Sequence, residues 1–249
     1  MSEILKTEAI VLGKMDFSDT SIITNLFTRD FGKFSLILKG GRNPKNRIGP
    51  LIDIPNYLNI VFCKKENREL QLLSNADSIN HFPGIKNDYD KIIYAFAVVE
   101  IIKKIIPDNE LHNKLFNGVV RILTLLNSAD EAAEILFSRF FLFFLEEIGF
   151  QVQLNECSVC GKNLLSNQLL GFNFNSGIIC GDCKIDYQNS YQIDAELFNY
   201  LQCLKFSKKT ESLKIDTAKK AIAFMEKYLK FHIPDFQGIQ SIKSNLRGI

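Results

Sequence analysis

Residues 7–39 read TEAIVLGKMDFSDTSIITNLFTRDFGKFSLILK. Three runs rich in Ile, Val, Leu and Phe stand here, Thr7–Lys14, Thr20–Thr28 and Gly32–Lys39, separated by Asp16–Asp19 and Asp30–Gly32, which suit hairpin turns. Phe34, Leu36 and Leu38 alternate with Ser35 and Lys39, the two-residue period of a half-buried strand, and only Ile37 breaks it. Asn56–Cys63, with Leu58, Ile60 and Phe62 in alternation, and Arg68–Asn75 extend the series, with Lys65–Asn67 as their turn. Five short strands in 80 residues favour closure into a small barrel, because closure removes exposed sheet edges. The expectation for residues 1–80 is a five-stranded OB-type β-barrel, an architecture that binds single strands of nucleic acid across one face.

Between the third and fourth runs lies KGGRNPKNRIGP, residues 39–50. From Phe31 to Ile52 there are five basic residues, Lys33, Lys39, Arg42, Lys45 and Arg47, and no acidic one. Glycine and proline rule out a helix, so the stretch is a loop whose cations can follow a phosphate backbone. These five residues are the candidate nucleic-acid contacts, the alternative being a solvated basic loop with no ligand. No Gly-Lys-Ser/Thr follows Gly40-Gly41, so the loop is not a P-loop.

His81-Phe82-Pro83-Gly84 is a linker, and helical periodicity follows over a domain expected at 85–249. Asp88–Ile106 places Ile92, Phe96, Val99, Ile102 and Ile106 on one face, and Glu110–Leu126 places Leu111, Leu115, Val119, Ile122 and Leu126 likewise. Ser128-Ala129-Asp130-Glu131 suggests a capping box opening a helix to Ile148. Its Phe137, Phe140, Phe141, Phe143 and Phe144 surround the axis, the pattern of a helix buried on nearly all sides. Ala195–Phe206 and Leu213–Phe231 read as two further helices, the second packing Ile215, Ile222, Met225 and Leu229, with a lysine-rich opposite face offering a second phosphate contact.

Within the helical domain, residues 155–190 carry Cys157-x-x-Cys160 and Cys180-x-x-Cys183, with 19 residues between the pairs. Two residues between thiolates let a tight turn aim both sulfurs at one point, and two such turns close a tetrahedral four-sulfur site. The expected ligand set is Cys157, Cys160, Cys180 and Cys183 around one structural Zn²⁺, because four thiolates leave no open position for water. A redox dithiol would open a helix in a βαβ unit, and none is visible. Paired disulfides would need an oxidising compartment, to which nothing points.

Formal net charge is +2, distributed unevenly: residues 1–80 carry 11 basic and 9 acidic side chains, residues 81–201 carry 9 and 15, and residues 202–249 carry 10 and 4. Phosphate-binding surfaces therefore belong at the two ends. The opening MSEILKTEAIVLG lacks a basic region followed by an apolar run, and Ile135–Phe150 is too short and too charged to span a bilayer. The expectation is a cytoplasmic protein with no membrane contact. His81, His112 and His232 stand apart, and no Walker, GxGxxG, GxSxG or HExxH sequence occurs, which describes a binding protein rather than an enzyme.

The order of these parts resembles the bacterial RecO recombination-mediator family. Thr7-Glu8-Ala9-Ile10-Val11-Leu12, Leu26–Lys33 and Lys39-Gly40-Gly41-Arg42 are similar to its N-terminal barrel signature. Asp88-Tyr89 through Tyr94 and Glu100 resemble the start of its helical domain, and Cys157-x-x-Cys160-Gly161 with Gly177-Ile178-Ile179-Cys180-x-x-Cys183 resembles the cysteine clip of many members. Where that family has a basic-then-serine run, this chain has Asn43-Pro44-Lys45-Asn46-Arg47. The resemblance implies an α+β protein with an OB domain, a helical domain and an inserted zinc element. It also implies binding of single- and double-stranded DNA, annealing of complementary strands, and loading of RecA together with RecR onto DNA covered by single-strand-binding protein. Members bind the C-terminal tail of single-strand-binding protein and work in the cytoplasm at the nucleoid. The competing readings are a zinc-stabilised protein–protein adaptor that never touches nucleic acid, and a zinc nuclease or redox enzyme.

Overall fold

The structure, a computed structural model, describes residues 2–65, 68, 70–164, 170–183, 191–206 and 214–243. The fold is α+β. Strands β1 (Ser2–Phe17), β2 (Ser21–Thr28), β3 (Gly32–Leu38), β4 (Tyr57–Lys65) and β5 (Gln71–Asn80) close into a barrel in the order β1-β2-β3-β5-β4. This is the expected OB-type arrangement. All pairings are antiparallel except β3 with β5, which meet in parallel at Leu36↔Gln71 and Ile37↔Leu72.

β1 is longer than the alternation predicts because it serves two neighbours. Ser2–Ile10 pairs with β4, and Ala9–Phe17 pairs with β2, the register shifting between Val11 and Gly13. The middle of the strand, Ala9–Leu12, is buried on both faces without alternation, and the outer residues, such as Ile4 and Met15, are exposed, so neither end carries a two-residue pattern. Ala9, Val11, Leu26, Leu36, Leu58, Ile60 and Phe62 fill the barrel. Burying a valine, leucine, isoleucine or phenylalanine side chain contributes roughly 1.5–3 kcal/mol.

Short helix α1 (Pro83–Lys86) is followed by α2 (Tyr89–Ile105), α3 (Asn113–Ser128), α4 (Ala133–Glu147), α5 (Ala195–Phe206), α6 (Ile215–His232) and α7 (Gln240–Lys243). A three-stranded sheet β7-β6-β8 is formed by β6 (Leu170–Asn173), β7 (Gly177–Ile179) and β8 (Tyr191–Ile193). The chain divides into two compact units, residues 1–130 with 239–249, and residues 131–238. The first therefore holds the barrel with α1, α2, α3 and α7. The second holds α4, α5, α6 and the small sheet.

Asp88 caps α2, its carboxylate accepting from Lys91 N at 3.1 Å. The buried face of α2 is broader than periodicity predicts: Ile93, Tyr94, Ala97, Val98 and Ile101 are inside with Val99 and Ile102, while Phe96 is exposed. Contacts with α1, α3, α7 and β1 cover several sides of the helix at once. The capping box at Ser128 is not formed. The Ser128 hydroxyl bonds back to Thr124 O at 2.9 Å and ends α3, and α4 opens at Ala132 without a side-chain cap. Of the five α4 phenylalanines, Phe137, Phe140, Phe141 and Phe144 are buried core as expected, while Phe143 is only partly buried.

α4 closes in a Schellman turn. Gly149 N donates to Glu146 O at 3.1 Å and Phe150 N to Leu145 O at 2.8 Å, with Gly149 at φ 89°. A Cβ on Gly149 would meet nothing within 4 Å, so only backbone strain opposes a side chain there. Gly149→Ala is expected to lower stability by about 1–2 kcal/mol, the left-handed penalty, and Gly149→Asn by less. Urea denaturation measures both, and equal stability of Ala and Gly would contradict the assignment.

Candidate metal centre and nucleic-acid interface

The cysteine clip is built by two turns and a hairpin. Gly161 N donates to Cys157 O at 2.9 Å and Cys157 N to Lys162 O at 2.9 Å, a tight turn that Gly161 permits at φ 69°. Ser158 N donates to Ile178 O at 2.7 Å, tying this turn to β7, and Cys183 N donates to Cys180 O at 3.1 Å to form the second turn. The four Sγ atoms then lie within 4.8 Å of one another. Cys157–Cys183 is 3.9 Å, Cys160–Cys180 3.6 Å and Cys180–Cys183 3.6 Å. Tetrahedral zinc with bonds of about 2.3 Å would hold its sulfurs about 3.8 Å apart, so the donor set fits a metal ion of that size.

The electrostatics favour thiolate at the buried corner. Burial pushes the Cys157 thiol up, but backbone N–H groups of Cys180, Cys160 and Val159 outweigh it and bring the pKa down to about 6. Cys183 moves the other way, to about 12, through hydrogen bonds with Cys160 and Cys180 and then burial. Crowded sulfurs cannot all ionise without a cation between them. Phe172 on β6 packs edge-on against Phe224 of α6 at 4.9 Å and against Tyr228 at 5.8 Å, so the sheet that presents the clip is anchored on that helix. Residues 165–169 and 184–190 of the expected 155–190 insertion lie outside the described residues.

The basic loop after β3 is shaped by its own polar groups. Asn43 Oδ1 accepts from Lys45 N at 3.0 Å, and Asn46 Oδ1 accepts from Ile48 N at 2.8 Å and Gly49 N at 2.9 Å. Arg42 N donates to Thr20 O at 2.9 Å, holding the loop against the β1–β2 turn. Neither asparagine stands out by charge or periodicity. The signal was their turn chemistry, side chains bonding the backbone two or three residues on, in the pattern Asn-Pro-Lys-Asn.

Lys39, Arg42, Lys45 and Arg47 are all exposed on this loop. Arg42 reaches Asp16 Oδ2 at 3.5 Å and donates to Ser18 O at 3.4 Å, whereas Lys39, Lys45 and Arg47 have no ion-pair partner among the described residues. Lys33 departs from the expectation. It is only 8 % exposed, its ammonium donates to Lys103 O at 2.7 Å and pairs with Asp108 at 3.2 Å, and the residue 108–109 segment covers its strand. A strand lysine reads as solvent-facing in sequence, and only the tertiary contact reveals that it is consumed internally.

The lysine-rich face of α6 is largely neutralised. Lys214 pairs with Glu196, Lys219 with Glu134, Lys220 with Asp194 and Glu196, and Lys230 with Glu226. Ile215, expected in the core, is 44 % exposed at the first turn. Lys208, Lys209 and Arg247 lie outside the described residues. No described helix is long and apolar enough to cross a membrane.

Comparison with known families decides the affiliation. The family model for the recombination protein O N terminal matches residues 1–82, and that for the recombination protein O C terminal matches residues 86–237. The chain belongs to the recombination protein O family. A relative from Chlorobium limicola, the DNA repair protein RecO, is 34 % identical over 161 residues, covering 65 % of this chain and 62 % of the relative. A protein of the same name from Chlorobium phaeobacteroides is 34 % identical over 160 residues, covering 64 % and 61 %. Another from Geobacter metallireducens is 29 % identical over 182 residues, covering 73 % of each. The chain thus spans about three fifths of the length of the two Chlorobium RecO proteins.

The loop's position depends on a close backbone approach. A Cβ on Gly49 would sit 2.0 Å from Gly41 O. Gly49→Ala is therefore expected to cost about 1–3 kcal/mol by urea denaturation, the range for overpacking, whereas Arg47→Ala on the exposed side is expected to stay within about 0.5 kcal/mol of the parent. Equal effects would show that the loop is not packed this way.

Proposed function

We propose that this chain is a recombination mediator in DNA repair. It binds single- and double-stranded DNA, anneals complementary strands and, with RecR, helps RecA replace single-strand-binding protein, whose C-terminal tail it also engages. It works in the cytoplasm on the nucleoid. Residues 1–80 are the nucleic-acid-binding domain, and residues 85–249 are the helical domain carrying the zinc element at 155–190. The observation that carries the reading is the ordered loop on an OB-type barrel with four exposed cations, Lys39, Arg42, Lys45 and Arg47, in a chain matched by both family models.

Annealing needs no catalytic residue. Two strands repel through their phosphates, and a shared cationic surface lowers that barrier. The Asn43 and Asn46 turns fix the loop before DNA arrives, so less ordering entropy is lost on binding. Cys157, Cys160, Cys180 and Cys183 hold one structural Zn²⁺, which supplies cross-linking of the turn and the hairpin and no chemistry on DNA.

Charge reversal at Lys39→Glu with Arg42→Glu is expected to reduce single-strand affinity at least 10-fold and to slow annealing of complementary oligonucleotides, with an unchanged thermal transition. Unchanged affinity would remove the loop from the DNA surface. Thiol titration of the native protein is expected to find the four clip cysteines unreactive until a chelator is added, with release of one zinc per chain. Immediate reaction of all four, with no metal released, would overturn the zinc assignment.

A further inference from the structure

A second feature of the barrel is a groove of about 650 Å³ at the opposite end of β3 from the basic loop. Its floor is aromatic: Phe31, Phe34 and Phe62 meet with ring centroids 5.4 Å apart for Phe31–Phe62, 5.2 Å for Phe34–Phe62 and 6.5 Å for Phe31–Phe34. Phe62 is buried, while Phe31 and Phe34 are half-buried and line the opening. The groove exists because β3 and β5 pair only at Leu36↔Gln71 and Ile37↔Leu72, leaving the first half of β3 without a strand neighbour on that side.

The charges around the groove are asymmetric in availability. Of the carboxylates on its rim, Asp108 is paired with Lys33 at 3.2 Å, while Asp30 accepts from the Thr7 hydroxyl at 2.7 Å and keeps its charge. Lys64, Lys65 and Arg68, on the other side, are exposed and have no ion-pair partner among the described residues. A cleft with half-buried aromatic rings at its base and exposed cations at its lip matches the chemistry of a nucleotide whose base meets the rings while its phosphate is neutralised.

We propose that this groove is a base-stacking subsite for single-stranded nucleic acid, with Phe31 and Phe34 contacting the base and Lys64, Lys65 and Arg68 the adjoining phosphates. The inference rests on the DNA-binding reading of the loop. Phe34 and Lys39 are five residues apart on and just beyond β3, roughly 16 Å at the rise of an extended strand, a span that a few nucleotides of single strand cover, although Phe34 turns to the barrel interior and Lys39 to the opposite face. The loop then supplies sequence-independent charge and the groove supplies a requirement for bases.

The test uses the full chain with an oligothymidylate, an abasic oligonucleotide of equal length, and an iodouracil-substituted oligonucleotide for photocrosslinking. Three results are expected: the abasic strand binds at least about 10-fold more weakly, as loss of base–aromatic stacking requires; crosslinks map to peptides containing Phe31 or Phe34; and Lys64→Glu with Lys65→Glu, which removes no packed side chain, diminishes those crosslinks. Equal affinity for abasic and normal strands, with crosslinks confined to residues 39–50, overturns the groove while leaving the loop reading intact. Failure of every oligonucleotide to bind at low salt overturns both.

Discussion

Strand β1 satisfies two partners along a single run of backbone, β4 over Ser2–Ile10 and β2 over Ala9–Phe17. That double pairing joins β4 to the β2–β3 meander, β5 completes the ring by pairing with β4 and β3, and closure fixes what the barrel presents. With β1 shared, β2 and β3 follow as a meander, and the chain must leave β3, cross over and return as β4 on the far side of β1. The crossing segment is the basic loop, so its cations project from a barrel whose edges are already consumed. The same topology leaves β3 and β5 with only a brief parallel contact, and the aromatic groove opens beside it.

Both candidate sites are ordered by backbone groups rather than by the side chains that would meet a ligand. In the loop, Asn43 and Asn46 accept main-chain hydrogen bonds while Lys39, Lys45 and Arg47 stay exposed. In the clip, main-chain N–H groups of Val159 and Cys180 point at Cys157 Sγ at 3.5 and 3.3 Å, and the turns at Cys157–Lys162 and Cys180–Cys183 bring the sulfurs to metal-binding separation. Preorganisation of this kind lowers the entropy lost on binding. It also makes each site sensitive to backbone substitutions, such as Gly49, that touch no ligand.

Much of this was legible in the sequence because alternation and spacing are local signals. Leu58, Ile60 and Phe62 alternate and are buried, and the two Cys-x-x-Cys pairs converge. What escaped depended on contacts distant in sequence. Lys33 has the composition of a surface cation, yet a carbonyl 70 residues away accepts its proton. Phe96 lies at a core-like spacing but is exposed, because the neighbours of α2 cover a different arc of the helix. Ser128 matches a helix-opening motif, and its hydroxyl instead satisfies the carbonyl of Thr124 in the preceding turn. Lys64, Lys65 and Arg68 line one side of a groove whose aromatic floor comes from Phe31, from Phe34 on β3 and from Phe62 on β4, elements that periodicity can propose but cannot bring together.

The central claim is that cations of an ordered barrel loop neutralise phosphates of a single strand. The dependence of the binding constant on salt tests it most directly, because each neutralised phosphate of a single strand contributes about −0.7 to the slope of log K against log salt. With Lys39, Arg42, Lys45 and Arg47 each neutralising one phosphate, the slope for an oligothymidylate should be about −2.8 or steeper. A slope near zero, with binding retained, would mean that these cations meet no phosphate and would contradict the account.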